Sequence, residues 1–191
     1  MRFKRFSAFM IDIILIGILM IVIENIVPIK DTTYLNENMM ELTEQVLNNE
    51  ISMQNYYNEF AVNTYIMDKN SVFVLGLNTL IVILYFIAVP IITKGFTLGK
   101  YVVGIKYEGK LNIWNLFLRN IVTTGILQMI LSIILIYVTK DTMYLTLTLI
   151  LGFIQILLVI ISAFMVLYRS DLKGIQDMIS KIKVVQINEV K

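Results

Sequence analysis

The chain has 191 residues, of which 58% are apolar and 16% charged, and its mean hydropathy is +0.77. Soluble domains hold roughly 45–50% apolar residues, so lipid is the expected solvent. There is no cysteine and no histidine, which excludes disulfides, thiolate metal sites and thiol nucleophiles and removes the commonest zinc ligand and general base.

Residues 1–5 carry Arg2, Lys4 and Arg5 without an acid. Phe6 to Val27 is an apolar run of 22 residues, interrupted by Ser7, Asp12, Gly17, Glu24 and Asn25 and closed by Pro28. A cleavable signal peptide has an apolar core of roughly 7–15 residues and a small-residue exit. This run is longer and lacks that exit, so it predicts an uncleaved transmembrane helix over about 6–27. Residues 30–70 form an acidic island, seven carboxylates against Lys30 and Lys69. Across it Leu35, Met39, Leu42, Val46, Met53, Tyr56 and Phe60 recur at helical spacing, with a polar gap at Asn49 and capping residues at Asp31-Thr32-Thr33. The pattern predicts an amphipathic helix or helical hairpin, set on the membrane bundle or serving at 35–65 as a docking face for a peptide or protein.

Residues 71–93 are a second apolar run, with Asn78 as its main polar insertion and Pro90 expected to kink its end. The loop over 94–118 is basic. Tyr101 to Tyr107 is β-branched and aromatic and is followed by the turn signal Glu108-Gly109-Lys110, so a small β-hairpin is expected. Leu111 to Leu118, with Trp114 and Phe117, reads as an interfacial helix. Two further spans follow over about 119–138 and 143–168; the link between them is short enough to make them a helical hairpin. The tail, 169–191, contains a Lys181–Ile187 tract that alternates partly at period two, which allows it to pair with the hairpin near Val102–Lys106.

The bases set the orientation. The amino terminus, the 94–118 loop and the tail are basic, and the 30–70 loop is acidic, so four spans with both termini in the cytoplasm satisfy the positive-inside rule. The expected fold is an all-α membrane protein: four transmembrane helices, an extracytoplasmic amphipathic helical insertion and a small cytoplasmic β-hairpin or strand element, in one domain. The lipid bilayer is the first partner. Four helices leave little interior in one copy, so a homo-oligomer or a membrane partner protein is expected as well. Basic residues beside Tyr101 and Trp114 fit lipid headgroups, not nucleic acid.

Asp12 is the sharpest chemical feature. An ionisable group at membrane depth costs roughly 2.5–3.5 kcal/mol at a helix centre on insertion scales and must be protonated, paired or hydrated. Arg5 lies about 10 Å before it along a helix and nearly on the same face. On a structural reading Arg5 or Arg119 satisfies Asp12 and locks the first helix against the third. On a functional one Asp12 binds a cation or proton, with Asn78, Gln128 or Gln155 as polar lining. Gly95-Phe96-Thr97-Leu98-Gly99-Lys100 has only three residues between its glycines and Tyr101 after the lysine, which fails the phosphate-loop pattern. Its glycines, with Gly104, read as turn residues. Among nucleophiles, Ser7 and Ser162 have no base beside them in sequence, and no enzyme, cofactor or metal site is expected.

Three stretches together resemble the RDD family of membrane proteins, named for one arginine and two aspartates. Arg5 to Asp12 is similar to the family's opening. Gly95 to Lys106 is similar to its G-x-T-x-G-K segment, after which the family's later arginine would be Arg119. Arg169 to Val185 resembles its closing segment, with Asp177 as the second aspartate. The resemblance implies a multi-pass protein of bacterial type, for which ligand transport has been suggested and cation/proton exchange claimed for some members. Where many members have a histidine before the second aspartate, this chain has Gln176. Two functions follow as expectations. One is a small transporter or exchanger in which Asp12 binds the ion, Arg5 sets its charge state, and Asp177 with Lys100 gates or tethers the inner side. The other is a non-transporting accessory or protective membrane factor, acting against envelope stress or membrane-active peptides through the 30–70 helix.

Overall fold

The computed structural model describes residues 1–27 and 32–187; Pro28 as a helix stop and Asp31 as a cap lie outside the described residues. The chain is helical apart from one small antiparallel sheet. Among the described residues three helices are long and apolar enough to cross a membrane: α1 (Arg2–Ile26), Val72–Ile92, and α9 (Asp141–Tyr168). A fourth crossing exists if α7 (Ile113–Thr124) and α8 (Ile126–Val138), which meet at 82°, form one broken span. Their apolar side chains face outward. Ile14, Ile18, Phe73, Leu80, Phe153 and Phe164 are all exposed, as expected where the solvent is lipid and burial brings no hydrophobic gain.

The first helix shows its inner face by a stripe of four-residue spacing, since Ala8, Asp12 and Ile16 are its buried residues. The acidic island is a helical hairpin, α2 (Thr33–Leu47) and α3 (Met53–Asn70). The polar gap at Asn49 is its turn, with Asn49 at φ 60°, a conformation Asn tolerates better than most residues. Leu35 and Leu42 are buried as the stripe predicts, whereas Met53 is exposed. Ser52 caps α3 by accepting from the Asn55 amide at 3.2 Å. Tyr65 donates to the Ile136 carbonyl at 3.1 Å, and Tyr144 donates to Asp68 at 2.7 Å. These two bonds tie the hairpin to α8 and α9, so it is set on the bundle.

The second span is interrupted where Pro90 predicts, but the distortion spreads upstream. It runs as α4 (Val72–Ile83), a π-helical turn over Leu84–Ala88, and α5 (Val89–Ile92). Proline has no amide hydrogen, so the carbonyl four residues earlier, that of Phe86, loses its helical donor. Asn120 of α7 supplies the replacement, its Nδ2 donating to the Phe86 oxygen at 3.0 Å. Asn120 is 1% exposed, so Asn120→Leu would strand a buried carbonyl. We expect a loss of about 1–3 kcal/mol, read as a lower unfolding midpoint of the detergent-solubilised protein.

The loop after this span differs from the predicted hairpin. Leu98–Val103 is a helix, α6, despite its β-branched residues, because Thr97 caps its start and Gly104, at φ 74°, ends it. Only Ile105–Glu108 is a strand, β1. It pairs antiparallel with the tail strand β2 (Lys183–Gln186), Ile105 opposite Gln186 and Glu108 opposite Lys183. The tail tract therefore does pair with the loop, just C-terminal of the expected position. The third span is also corrected. The sequence reading runs a single helix through 119–138, whereas Gly125, at φ 70°, breaks it. Thr123 and Thr124 before that glycine are poor helix interior residues, and a left-handed glycine is the usual helix stop.

Candidate functional site

The charged residues gather where the start of α1 meets α6, α7 and α10 (Ile175–Ser180), around two carboxylates. Asp12 is wholly buried. Its Oδ1 accepts from the Tyr85 hydroxyl at 2.5 Å and from the Gly99 amide at 2.7 Å. Its Oδ2 accepts from the Thr97 hydroxyl at 2.6 Å and faces the Lys100 ammonium at 3.5 Å. The π-helical turn carries Tyr85 to this point, a common use of such distortions. Gly99 permits the approach of α6 to α1: a Cβ there would lie 2.1 Å from the Ala8 carbonyl oxygen and 2.8 Å from Asp12 Oδ1. The lysine also donates to Thr97 Oγ1 at 3.0 Å.

Asp177 is the second centre. Arg5 reaches its Oδ2 at 2.5 Å and Arg119 its Oδ1 at 2.6 Å, while the Gly174 amide donates to Oδ2 at 2.9 Å as part of the α10 cap. Arg5 also donates to the Leu172 carbonyl, and Arg119 to that of Ile182 at 3.2 Å. Burial pushes the Asp177 carboxyl up, but Arg119 and Arg5 outweigh it and hold the group below its ordinary value.

The sequence reading joined Arg5 or Arg119 to Asp12 and put Lys100 beside Asp177. The structure exchanges these partners: both guanidiniums go to Asp177 and the lysine goes to Asp12. An arginine seven residues before an aspartate is a sequence neighbour of it, but the tail packs across the amino-terminal turns and claims the guanidinium. Tyr107 was missed altogether. It is buried in β1, with Lys100 Nζ 4.2 Å and the Arg119 guanidinium 4.5 Å from its ring centre. It thereby joins the two centres. Its signal was an aromatic closing a short β-branched run in a loop crowded with bases.

The other expected lining residues lie elsewhere. Asn78 donates to Glu24 at 3.3 Å. Gln155 donates to the Val122 carbonyl at 2.9 Å, one of those left without a helical donor by the break at Gly125. With Gln128, Thr123, Thr124, Ser132 and Thr79 it lines a separate pocket of about 370 Å³. Arg169 pairs with Asp171 in an exposed bidentate contact at 2.9 Å. Gly95, at φ 108°, lies under Tyr107: its carbonyl accepts the Tyr107 amide at 2.9 Å. Gln176 accepts a hydrogen bond from the Ser162 hydroxyl of α9.

The arrangement of Arg5, Asp12, Arg119 and Asp177 in one knot accounts for the three separated motifs. A comparison with protein families matches residues 2–181 to the RDD family. This chain belongs to the RDD family. No curated protein and no solved structure gives a match. As an RDD protein with three to four helices apolar enough to cross a bilayer, it is a membrane protein.

Proposed function

We propose that this RDD protein is a small multi-pass exchanger in the cell membrane, moving a monovalent cation against a proton, with Asp12 as the cation's carboxylate. The observation that carries the reading is the environment of that carboxylate. Both Asp12 oxygens, the Thr97 hydroxyl and the Tyr85 hydroxyl converge within hydrogen-bond distance, a hard-oxygen set that suits an alkali cation. Their close counter-charge among the described residues is Lys100, at the longest of the Asp12 contacts, 3.5 Å. A cation entering here competes with that ammonium for the same charge. The reading keeps the basic termini and the 94–118 loop in the cytoplasm and the acidic α2–α3 hairpin outside, as the distribution of lysine and arginine favours. The pathway would run between helices or between copies, and no chemical transformation is assigned.

Asp12→Asn keeps an acceptor toward Gly99 and removes the charge. In proteoliposomes we expect it to abolish cation-coupled proton flux while the protein still purifies as a folded species. A wild-type preparation that moves none of Na⁺, K⁺ and Li⁺ would sink the reading. A second reading is favoured by the groove between α2 and α3, about 460 Å³, lined by Glu41 and Glu59 among amide side chains. There the chain is a non-transporting accessory or protective factor that holds a cationic peptide or protein outside the membrane. Deleting residues 35–65 then removes the activity, and Asp12→Asn lowers only abundance.

A further inference from the structure

The buried knot holds more positive charge than its carboxylates neutralise. Among the described residues Arg5, Lys100 and Arg119 pair with Asp12 and Asp177, and all five side chains are 11% exposed or less. Among the same residues Arg119 Nε has no hydrogen-bond partner. Uncompensated buried charge is costly, and a protein removes it by moving a proton. Neither guanidinium can release one, and the Lys100 ammonium is engaged as a donor to Asp12 and Thr97. Two phenols adjoin the knot: that of Tyr85 is committed as a donor to Asp12, and that of Tyr107 lies against both Lys100 and Arg119.

We propose that Tyr107 is the proton-carrying group of this knot, ionising to phenolate to supply the third negative charge that its three cations lack. The groups around it define the titration. Lys100 meets it from α6 and Arg119 from α7; behind them stand Asp12 of α1, and Asp177 of α10 with Arg5 of α1. From β2 it faces Val184, with Lys183 opposite Glu108 one place along. Its own amide is taken by Gly95. Burial pushes the phenol up, but Lys100 and Arg119 outweigh it and bring the hydroxyl below its ordinary value.

Resting on the exchange reading, the same geometry gives a coupling. Lys100 Nζ lies between Asp12 Oδ2, at 3.5 Å, and the Tyr107 ring, at 4.2 Å. A cation that takes the place of Lys100 on Asp12 leaves the ammonium to Tyr107. The phenol O–H bond then breaks, the oxygen keeps the electron pair, and the proton leaves to water. One cation enters, one proton departs, and the buried charge is unchanged.

The test is a pH titration of the phenolate absorbance of the whole protein in detergent, with and without Na⁺, K⁺ or Li⁺. The chain has ten tyrosines. We expect about one tenth of the phenolate signal to rise as a separate step below the ordinary tyrosine value of about 10. That early step should be missing in Tyr107→Phe, which keeps the ring between its two cations, and should move lower when the transported cation is added. If no tenth of the wild-type signal rises early, the proposal is overturned, whether or not Tyr107→Phe folds. It is overturned equally if Tyr107→Phe retains an early step. An early step that Tyr107→Phe removes but that no cation shifts sinks the exchange reading and leaves the Tyr107 assignment standing.

Discussion

Asp177→Ala is expected to cost about 3–5 kcal/mol, the range for removing one partner of a buried ion pair, enough to exhaust most of a domain's stability. The reason is what the substitution leaves behind. Arg5 and Arg119 converge on Asp177 from α1 and α7 with side chains 11% and 4% exposed, so its loss strands two guanidiniums inside the protein. The Gly174 amide loses its cap acceptor in the same step, and α10, six residues long, is left with its bonds to Ser162 of α9. The readout is the yield of monodisperse protein after extraction, with the unfolding midpoint of whatever survives. Asp171→Ala is the control. Asp171 pairs with Arg169 in solvent, where an ion pair adds little, and it should extract like the parent.

The same centre fixes the response to acid. The folded Asp177 carboxyl titrates below its ordinary value, so its stabilising contribution is complete above the unfolded-chain value of about 3.9. That contribution is lost as the pH falls through the lower folded value. Stability at neutral pH should be insensitive to this group.

Gly99→Ala should be as damaging, by a different mechanism. The added methyl would meet the Ala8 carbonyl oxygen at 2.1 Å and Asp12 Oδ1 at 2.8 Å, and the nearer of these is backbone, which cannot rotate away. Helix α6 must therefore back off α1, which breaks the Gly99–Asp12 and Thr97–Asp12 bonds together. Loss of a buried carboxylate's donors along with overpacking belongs to the exceptional class of substitutions above about 4 kcal/mol. Gly17→Ala and Gly76→Ala provide the comparison, since nothing lies within 4 Å of a Cβ at either position. Both should be neutral or mildly stabilising, because alanine is the better helix former. If Gly99→Ala matched them in extraction yield and unfolding midpoint, the close contact of α6 with α1 would be wrong.

Much of the architecture was legible because lipid imposes simple rules. Runs such as Ser71–Thr93 must be helical, since nothing else satisfies backbone polar groups in hydrocarbon. The Leu35–Phe60 stripe marked a helix or helical hairpin because apolar spacing reports which face is covered, and the structure makes it the hairpin α2–α3. Pro90 announced a distortion, and Asp12 announced a buried charge. The break at Gly125 was less visible. A glycine inside an apolar run is common, and only its left-handed conformation, decided by how α7 lies against its neighbours, turns it into a stop. The strand pairing was half legible: the tail's alternation gave a partner for the loop, while the Thr97 cap and Gly104 turned the first half of the expected hairpin into a helix.

The sequence by itself determined that this is a helical membrane protein and which of its few interior charges must find partners, because composition and periodicity act locally and lipid penalises every exception. Only the tertiary structure decided who the partners are. Arg5, Asp12, Lys100, Arg119 and Asp177 come from segments up to 172 positions apart, and electrostatic attraction carries no information about sequence distance. Packing of α6 on α1 and of the tail across the amino-terminal turns gives Asp12 to a lysine and Asp177 to two arginines. It also sets Tyr107 between the two centres.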